Sequence, residues 1–567
     1  MQGFEENNVF SRTRREDVPP DKKVIPNKEV YTRKYKNGRL MRHKYRHTAR
    51  GDKLRAGIDY GNSYWSSASS TTLKTFCAIA AETGQQPEVI DVQTAYLEAP
   101  EENLIFMERA SFADYINMKD HELETLREKI IKMTAEELKN HRQQNRTQIK
   151  TGEVEMLLRA VYGIATSGRF WGKTLRKALE SMGLTRSKID NSLYVKKNTE
   201  KFEPKNGKWL IVCTITDDIP FNGDEESKNW FVEQMRSRFR ITHESTFTGL
   251  IGIEANWDDE RKTLELTQRA LINKISEKFQ HHISDEKRRF TPLPEDLDKT
   301  EPTEITDEEW EEAKFFDFPG FVCSLGYVAE WSKPELLYAR SYLSSYLRRW
   351  DMKRVNYAIH SLMYMIHHKN YGTIYSQGRD VHGPYQIYAF ADGSLMNESK
   401  RRSRSARLVK MSGAAISAKT NKTTTVHMSS TSVETEAACQ AALDIVAMRH
   451  MLEEIGIWYN EPVVIYEDNQ PTIRVANNES SIADAGRHIE VKNFKLGELV
   501  EDSTIVLKYI ETQRQVADLL TKPLGKIAFE RLRDDLTGYL AFNKPLENIH
   551  VKMCRIKMQC VNPKKRT

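Results

Sequence analysis

Two adjacent carboxylates, Asp217 and Asp218, end one of the most apolar runs of the chain. Residues 209–215 precede them in WLIVCTITDDIPFNG, and Ile, Pro and Phe follow at once. Buried carboxylates are costly unless a cation compensates their charge. The pair therefore has two interpretations, a polar hairpin turn, where aspartate is common, or a metal site. On spacing alone the turn is the simpler interpretation.

A third carboxylate, Asp91, ends a separate apolar strand in PEVIDV. Three carboxylates from adjacent strands suit divalent cations, because hard ions such as Mg²⁺ prefer oxygen ligands. Two such ions about 3.5–4 Å apart stabilise the attacking and leaving oxygens of in-line phosphoryl transfer. Considered alone, Asp91 is better explained as a residue that caps a strand.

Four more acids end elements in the second half of the chain. Asp392 ends the strand-like YQIYAFAD, Asp468 ends VVIYED, Glu434 begins a helix and Asp518 lies on the late helix QVADLLTKPL. Glu434 is also explained as a favourable charge at a helix N-terminus, and Asp518 as a solvated helix residue. Their joint placement predicts a second two-metal site.

The surrounding pattern predicts the elements that position these acids. Apolar spacing predicts a helix over residues 71–82 with one buried face, strands over 192–197 and 208–216, and an amphipathic helix in GRFWGKTLRKALESMGL. Residues 111–150 are charged and are predicted to form a surface helical insertion, and residues 225–375 are mostly helical with one short strand pair. From about residue 380, strands alternate with the long helix ETEAACQAALDIVAMRHMLEEIG, which predicts a separate α/β domain.

Composition limits the class of protein. The 567 residues suggest roughly three or four domains. No apolar run approaches the roughly 20 residues that span a bilayer, so no membrane association is expected. The six scattered cysteines include no C-x-x-C pair, which favours a reducing, intracellular setting without disulfides or zinc.

The net charge of +6 is modest, but cations and tyrosines concentrate in residues 32–55. Strands are predicted there around a Lys-Asn-Gly turn. A cationic run is commonly just a solvated face. The interleaved tyrosines also suit a groove that follows a nucleic-acid backbone.

The chain resembles, from about residue 28 to 524, the reverse transcriptase and ribonuclease H region of copia-type LTR retrotransposons. The matching blocks occur in the order of that family: DVQTAYLEAP, VYGIATSGRFW, TITDD, LIGIEA with LELTQ, RFTPL, FVCSLGYVAEWSKPELLYA, YAFADGS, HMSSTSVETEAACQAA, IYEDNQPTIRVANN, RHIEVKNF and QVADLLTKPL. One such block is weak evidence, whereas the ordered series is specific.

The resemblance implies roles for the polymerase residues. Asp91, Asp217 and Asp218 match the metal ligands. Tyr96 matches the aromatic residue that closes against a ribose 2′-OH, a packed turn aromatic being the alternative. Arg46 falls near the incoming triphosphate, where charge builds on the leaving pyrophosphate. Arg33 is a second candidate beside that arginine, and Tyr162 with Gly163 is expected to line the nucleotide and template pocket.

The resemblance likewise assigns the ribonuclease residues. An ungapped register of MSSTSVET places Glu434 at the catalytic glutamate and Ser432 where the family often has another acid. Glu436 replaces Glu434 if that register slips. Asp392, Asp468 and Asp518 complete the expected metal ligands.

Some positions depart from the family pattern. Thr216 replaces the hydrophobic residue usual before the aspartate pair, Ile215 replaces an aromatic one, and Tyr31 stands where lysine is common. ATSG replaces a Lys-Gln-Ala-Pro-like run, and the 111–150 insertion lengthens the fingers–palm connection. These differences indicate a divergent lineage or partial decay.

The implied fold class is α+β, a right-hand polymerase with fingers, ferredoxin-like palm and helical thumb, followed by an α/β ribonuclease H-like domain. The expected domains are a lead-in (1–25), fingers and palm (26–240, with the insertion 111–150), a helical thumb and connection (241–380), the ribonuclease H-like domain (384–525) and a basic tail (526–567).

The expected function is an RNA-directed DNA polymerase that also degrades the RNA strand of the hybrid. The expected cofactor is Mg²⁺, with Mn²⁺ as the alternative. The expected partners are an RNA template, a DNA or tRNA primer, the RNA–DNA hybrid and deoxynucleoside triphosphates, with a homodimer left open. The expected location is the cytoplasm, in a virus-like particle if the element is intact, with the nucleus as the alternative. The rival hypothesis is a decayed or domesticated relic that binds nucleic acid without turnover.

Overall fold

A computed structural model describes most of the chain. It covers residues 7–36, 39–109, 152–205, 207–283, 287–300, 305–396, 398, 401–477 and 487–543, with the side chains of 29, 31–45 and 487–493 excepted. The predicted insertion at 111–150 and the Asn-Gly turn at 37–38 lie outside these residues.

The described strands and helices follow the alternation of apolar runs and turn residues. The strands are β1 (Phe10–Arg14), β2 (Val24–Ile25), β3 (Asn27–Lys36), β4 (Arg39–Ala49), β5 (Glu88–Val92), β6 (Phe106–Met107), β7 (Glu153–Leu157), β8 (Thr185–Arg186), β9 (Leu193–Lys197), β10 (Trp209–Cys213), β11 (Asp218–Gly223), β12 (Ile241–Glu244), β13 (Gly249–Leu250), β14 (Ile253–Asp258), β15 (Thr263–Thr267), β16 (Thr373–Ser376), β17 (Tyr388–Ser394), β18 (Arg404–Met411), β19 (Ala414–Lys422), β20 (Val463–Glu467) and β21 (Ile505–Tyr509). The α-helices are α1 (Ser70–Thr83), α2 (Ser167–Ser181), α3 (Glu225–Arg236), α4 (Arg269–Phe279), α5 (Asp307–Lys314), α6 (Phe318–Trp331), α7 (Leu337–Ser344), α8 (Met352–His367), α9 (Ser430–Ile455), α10 (Gln470–Ala476), α11 (Arg487–Glu501), α12 (Lys526–Thr537) and α13 (Tyr539–Phe542).

The first half of the chain is built around an antiparallel six-stranded sheet with the order β12-β5-β11-β10-β9-β8. Its central strand β10 is buried on both faces. Leu210 and Val212 face the core formed with α2 and α3, whereas Ile211 and Cys213 face α1. The alternation of a strand explains this division, since successive side chains point to opposite faces. The apolar run before the aspartate pair is therefore a strand covered by helices on both sides.

Helix α1 packs between two sheets. The sequence predicts one buried face for this helix, but every residue from 72 to 82 is buried. Leu73 and Phe76 share one core with the six-stranded sheet and with Val409 and Met411 of β18. The single-face prediction is too narrow because the second half of the chain covers the other face of α1.

The segment between the two halves is mostly helical, as predicted, and contains a sheet. Helices α4 to α8 build a core with an aromatic centre that includes Phe279, Phe316 and Phe321. Strands β13, β14, β15 and β16 form an antiparallel four-stranded sheet beside them. Strand β16 is distant in sequence from the predicted strand pair and pairs with β15.

The second half contains a five-stranded sheet with the order β19-β18-β17-β20-β21. The pairs β17–β18 and β18–β19 are antiparallel, whereas β17–β20 and β20–β21 are parallel. The 26-residue helix α9 packs on this sheet through small residues such as Ala437 and Ala441. This is the α/β arrangement that the sequence predicts, and the α+β class of the whole chain is confirmed.

Two features near the C-terminal end of the described chain differ from the sequence-based expectation. Residues 516–520 form a 3₁₀ turn instead of an α-helix. Pro523 disfavours helical geometry at the residue before it, so the segment cannot extend. The described part of the predicted tail is helical and packed, since α12 buries Phe529, Leu532 and Arg533. None of the helices in the described residues is long and apolar enough to cross a bilayer.

Candidate active sites

The aspartate pair lies at the tip of a tight hairpin. Ile215 and Asp218 exchange backbone hydrogen bonds of 2.9 and 3.0 Å, which leaves Thr216 and Asp217 as a two-residue loop between β10 and β11. Thr216 has φ of +56°, a conformation that is a genuine outlier for a β-branched residue. The buried Trp171 donates a hydrogen bond of 2.6 Å from Nε1 to the Thr216 carbonyl. The turn interpretation is therefore correct for the geometry, and α2 holds the turn in place.

Asp91 and Asp218 lie opposite each other in the central sheet. They are register partners in the antiparallel pair β5–β11. Directly opposed residues share a face of the sheet with Cβ atoms about 4.5–5.5 Å apart. The Val92 amide also donates to the Asp217 carbonyl at 3.0 Å, which ties the hairpin tip to β5. The fold thus brings together the three carboxylates predicted for the first centre.

The charges of this group affect one another. Burial raises the pKa of Asp218 to about 6, and the carboxylates of Asp217 and Asp91 add to the rise. A like charge nearby disfavours ionisation of a carboxyl group. The site therefore favours a bound cation at neutral pH, and a proton on Asp218 below about pH 6.

Tyr96, Tyr162 and Arg46 surround the hairpin tip. The rings of Tyr96 and Tyr162 lie 4.7 Å apart, and the Arg46 guanidinium lies 5.7 Å from the Tyr162 ring. Burial raises the pKa of both tyrosines, and the Asp217 charge contributes in each case. Within the described residues, the buried Arg46 Nε has no hydrogen-bond partner. This donor fits an anionic ligand near the carboxylates.

Gly163 has a backbone role in this site. Its φ is +95°, and a Cβ atom there would overlap the Ala49 carbonyl oxygen far inside 3.0 Å. The Ala49 amide donates to the Tyr162 carbonyl at 2.8 Å. A glycine is required because the backbone near Tyr162 touches the end of β4, the strand that holds Arg46. Arg33 lies on the neighbouring strand β3, opposite His43, and its side chain is outside the described set.

A second group of carboxylates lies in the C-terminal sheet. Ligand oxygens of Asp392, Glu434 and Asp468 all lie within 4.8 Å of one another. Among the described residues this is the one group of three acidic, His or Cys side chains that meets this spacing, and the three carboxylates of the hairpin site are more widely separated. Three of the four acids predicted for the C-terminal half are thus close together in space. The fourth, Asp518, lies beside them.

Local structure explains the convergence. Asp392 lies in the central strand β17, and Asp468 directly follows the parallel neighbour β20. Helix α9 begins directly against β17. The approach is so close that a Cβ atom on Gly393 would lie 2.7 Å from the Glu434 amide nitrogen. The Gly393 amide hydrogen-bonds the Glu434 carboxylate. Only a glycine at position 393 allows the helix start to approach so closely.

Asp518 lies beside the group of three. Gln515 donates from Nε2 to the Ala391 carbonyl at 2.8 Å, which fixes the 3₁₀ turn against β17. Burial and the Asp392 carboxylate raise the pKa of Asp518 to about 7. Lys522 lies 2.8 Å from Asp518 Oδ1, and the Thr521 hydroxyl donates to Asp392.

Glu467 is a fifth acid of this centre that the sequence reasoning missed. It is fully buried at the end of β20, and its carboxylate lies within hydrogen-bonding reach of Glu434. Without a cation, burial favours a proton on these carboxyl groups, and the Oε2 atoms of both are buried without a partner in the described structure. A strand that is covered on both faces has no alternation of polar and apolar residues, so the sequence pattern does not distinguish a functional acid within it. Its position beside Asp468 in YED was the one available indication.

The acids of this centre fit a divalent cation. Burial is the main cause that raises the pKa of Asp392, Glu434 and Glu467, and neighbouring carboxylates add to each rise. A hard cation would coordinate the buried oxygens that lack a donor, and its charge would offset the repulsion between the carboxylates. The arrangement suits metal-assisted phosphoryl chemistry.

The ungapped register of MSSTSVET agrees with this geometry. Glu434 lies in the centre, whereas the fallback residue Glu436 lies near His427, with 3.3 Å between His427 Nε2 and Glu436 Oε2. Ser432 hydrogen-bonds His427 Nδ1 at 2.8 Å. Ser432 and Glu436 therefore belong to a contact with the preceding loop.

Known proteins match this chain over much of its length. Residues 11–129 and 141–294 match the family described as reverse transcriptase (RNA-dependent DNA polymerase). The retrovirus-related Pol polyprotein from transposon RE2 of Arabidopsis thaliana is 24% identical over 539 residues, covering 90% of this chain and 32% of that protein. The corresponding polyprotein from transposon TNT 1-94 of Nicotiana tabacum is 22% identical over 544 residues, covering 94% and 37%. The chain spans about a third of the length of these relatives.

Two solved structures are also similar. A foamy viral protease–reverse transcriptase dRH in complex with ds DNA covers 90% of this chain and 68% of its own, with a TM-score of 0.44 and 10% identity. The RNase H1 of Halobacterium salinarum NRC-1 covers 24% of this chain and 94% of its own, with a TM-score of 0.19 and 11% identity.

Proposed function

Since residues 11–129 and 141–294 belong to the reverse transcriptase (RNA-dependent DNA polymerase) family, we propose that this chain copies RNA into DNA and cleaves the RNA strand of the resulting hybrid. The expected resemblance to retrotransposon Pol polyproteins is confirmed by relatives that cover about 90% of the chain. The proposed domains are those expected from the sequence, except that residues 526–537 form a packed helix, with polymerisation in the first half and hydrolysis in residues 384–525.

One observation supports the polymerase most strongly, the cross-strand register of Asp91 with Asp218 beside the Thr216–Asp217 loop. In the proposal, Asp91, Asp217 and Asp218 hold Mg²⁺, with Mn²⁺ as the alternative. When bound, such ions stabilise negative charge on the reacting phosphate oxygens. The carboxylates orient the 3′-OH of a DNA or tRNA primer toward the α-phosphate of a deoxynucleoside triphosphate.

Three further residues contact the incoming nucleotide in this proposal. Arg46 presents its unpartnered Nε to the triphosphate, where charge develops as pyrophosphate leaves. Arg33, on the paired strand, assists it. Tyr96 closes against the ribose 2′ position and is held by its ring contact with Tyr162.

The ribonuclease proposal rests on the group of Asp392, Glu434 and Asp468. These residues and Asp518 hold Mg²⁺ and orient a water molecule toward a phosphodiester of the RNA strand. Lys522, 2.8 Å from Asp518, keeps that carboxylate in place. The proposed partners are an RNA template and an RNA–DNA hybrid, the proposed location is the cytoplasm, and a homodimer is compatible with the proposal.

The test uses the purified full chain with two substrates. With Mg²⁺, the wild type should extend a DNA primer on an RNA template and should shorten the RNA of a labelled hybrid. Asp217→Asn should abolish extension while its melting temperature stays within a few degrees of wild type. Ser237→Ala, at the exposed C-terminal end of α3, is the control and should keep both activities.

The rival hypothesis, a nucleic-acid-binding relic, predicts a different result. A relic would bind the template–primer and would show no extension and no cleavage with Mg²⁺ or Mn²⁺. The strained Thr216 in the hairpin is the feature that favours it. A well-folded wild-type protein without turnover would therefore establish the relic and reject the enzyme.

A further inference from the structure

An open basic cavity lies apart from the two carboxylate centres. Its volume is about 210 Å³, and it lies between residues 288–291, helix α8 and the first turn of α12. Three cations line it, Arg288, Arg289 and Lys526, against one carboxylate, Glu295. The formal charge of the lining is therefore +2.

Two of these cations approach the same aromatic ring. The Lys526 ammonium lies 3.7 Å and the Arg288 guanidinium 5.4 Å from the centre of the Phe290 ring. Both side chains are exposed, and no carboxylate of the described residues lies within 4.0 Å of either. The ring attracts each cation, but the two like charges repel each other, and an anion bound between them would relieve that repulsion. The arrangement therefore points to an anionic ligand.

Two other polar groups of the cavity have hydrogen-bond partners within the protein. His360 donates from Nε2 to the Thr291 carbonyl at 3.0 Å, and the Arg289 amide bonds to His367 Nδ1 at 3.1 Å. Burial, followed by the charge of Arg289, lowers the pKa of His360 to about 4, so this imidazole is neutral at pH 7. Arginine and lysine thus supply the positive charge at every pH near neutrality.

The cavity is close to the ribonuclease centre along the chain. Lys526 follows Lys522 by four residues, and Lys522 contacts Asp518 at 2.8 Å. Four residues span at most about 14 Å. A nucleic-acid strand carries one phosphate for about every 3.4 Å of helix axis. A hybrid held at the acidic centre thus offers several phosphates within reach of the cavity.

We propose that this cavity binds a backbone phosphate of the RNA–DNA hybrid whose RNA strand lies at Asp392, Glu434 and Asp468. The proposal rests on the ribonuclease function proposed above. Arg288 offers a planar fork of donors that matches two phosphate oxygens, and Lys526 adds a point charge. The contact aligns the hybrid and carries no sequence information.

The experiment measures hybrid binding without turnover. The full chain is titrated in EDTA against a fluorescent RNA–DNA hybrid at several salt concentrations. The double variant Arg288→Gln/Lys526→Gln should bind about threefold to tenfold more weakly at 0.15 M salt, and the slope of log K against log salt should fall by about 1. Lys314→Gln removes one exposed cation, on α5 and paired with Glu311, as a control for the loss of surface charge, and it should bind like wild type.

Two further measurements keep the outcomes distinct. In Mg²⁺ the double variant should cleave the hybrid with a raised KM and an unchanged kcat. Its melting temperature should match wild type, because neither cation forms an ion pair with a described carboxylate. A titration with inorganic phosphate at constant ionic strength should weaken hybrid binding by the wild type more than by the variant.

Unchanged affinity and slope in the double variant would overturn the phosphate site, as would a loss equal to that of Lys314→Gln. Another outcome would also overturn the proposal: the double variant binds the hybrid as tightly as wild type, while inorganic phosphate still raises the wild-type melting temperature. The cavity would then be a site for the free anion only. A wild type that binds the hybrid without cleaving it contradicts the ribonuclease function and leaves the binding result intact.

Discussion

A single methyl group at Gly163 tests how the proposed polymerase site is held together. Left-handed backbone such as its φ of +95° costs an ordinary L-residue about 1–2 kcal/mol. The new Cβ would also displace the Ala49 carbonyl by roughly 1 Å and weaken the hydrogen bond from Ala49 to Tyr162, worth about 1 kcal/mol. Gly163→Ala should therefore destabilise this half of the chain by about 2–4 kcal/mol.

The functional effect follows from the position of Ala49. This residue ends the strand of Arg46, and a displacement of about 1 Å in a positioning group can reduce a rate about 100-fold. We expect a first melting transition lower by about 5–12 °C, primer extension reduced about 100-fold, and hybrid cleavage unchanged below that transition. Thermal denaturation and the two activity assays measure these effects.

Gly168→Ala is the matched control for this variant. A Cβ atom at Gly168, on the first turn of α2, would meet no atom within 4 Å, and its φ is ordinary. Alanine in a helix is more favourable than glycine by about 0.5–1 kcal/mol, so this variant should be as stable as wild type or more so. A Gly163→Ala protein with wild-type stability and extension would refute the account of the close approach.

Three further predictions concern the carboxylate centres. Trp171→Phe removes the donor to the Thr216 carbonyl, so urea unfolding should show a loss of about 1–2 kcal/mol and extension should fall; wild-type extension would contradict the anchoring role. Because the folded pKa of Asp218 is raised to about 6, the folded state holds a proton that the unfolded chain loses from about pH 4. In EDTA, stability should then fall as pH rises from 4 to 6, and the same urea series on Asp218→Asn should lack that decline. Glu467→Gln relieves repulsion with Glu434, so it should raise the melting temperature in EDTA. It should also reduce the stabilisation by Mg²⁺, which for one site is about 2.7 kcal/mol when Mg²⁺ is 100-fold above its Kd. No difference from wild type would place Glu467 outside the centre.

Apolar runs were sufficient to predict where the acids fall on their strands. The run before Asp217 and the runs ending at Asp91, Asp392 and Asp468 all form strands. These runs are short and rich in β-branched and aromatic residues, which favours a strand over a buried helix. The ordered blocks of the resemblance then indicated which strand ends meet.

The pairing of those strands was not predictable from local pattern. Asp91 and Asp218 are 127 residues apart, and their register depends on packing against helices on both faces. The burial of α1 on all sides has the same cause, because its second partner, β18, follows more than 300 residues later. Glu467 was missed for a related reason, since a doubly covered strand has no polar face on which an acid stands out.

The central claim is that two separate carboxylate centres catalyse two reactions in one chain. Its most direct test is a crossed pair of variants, Asp91→Asn and Asp392→Asn, each assayed for primer extension and for hybrid cleavage with Mg²⁺. Asp91→Asn should lose extension and keep cleavage, and Asp392→Asn should lose cleavage and keep extension. Loss of both activities in either folded variant, or of neither, would contradict the claim.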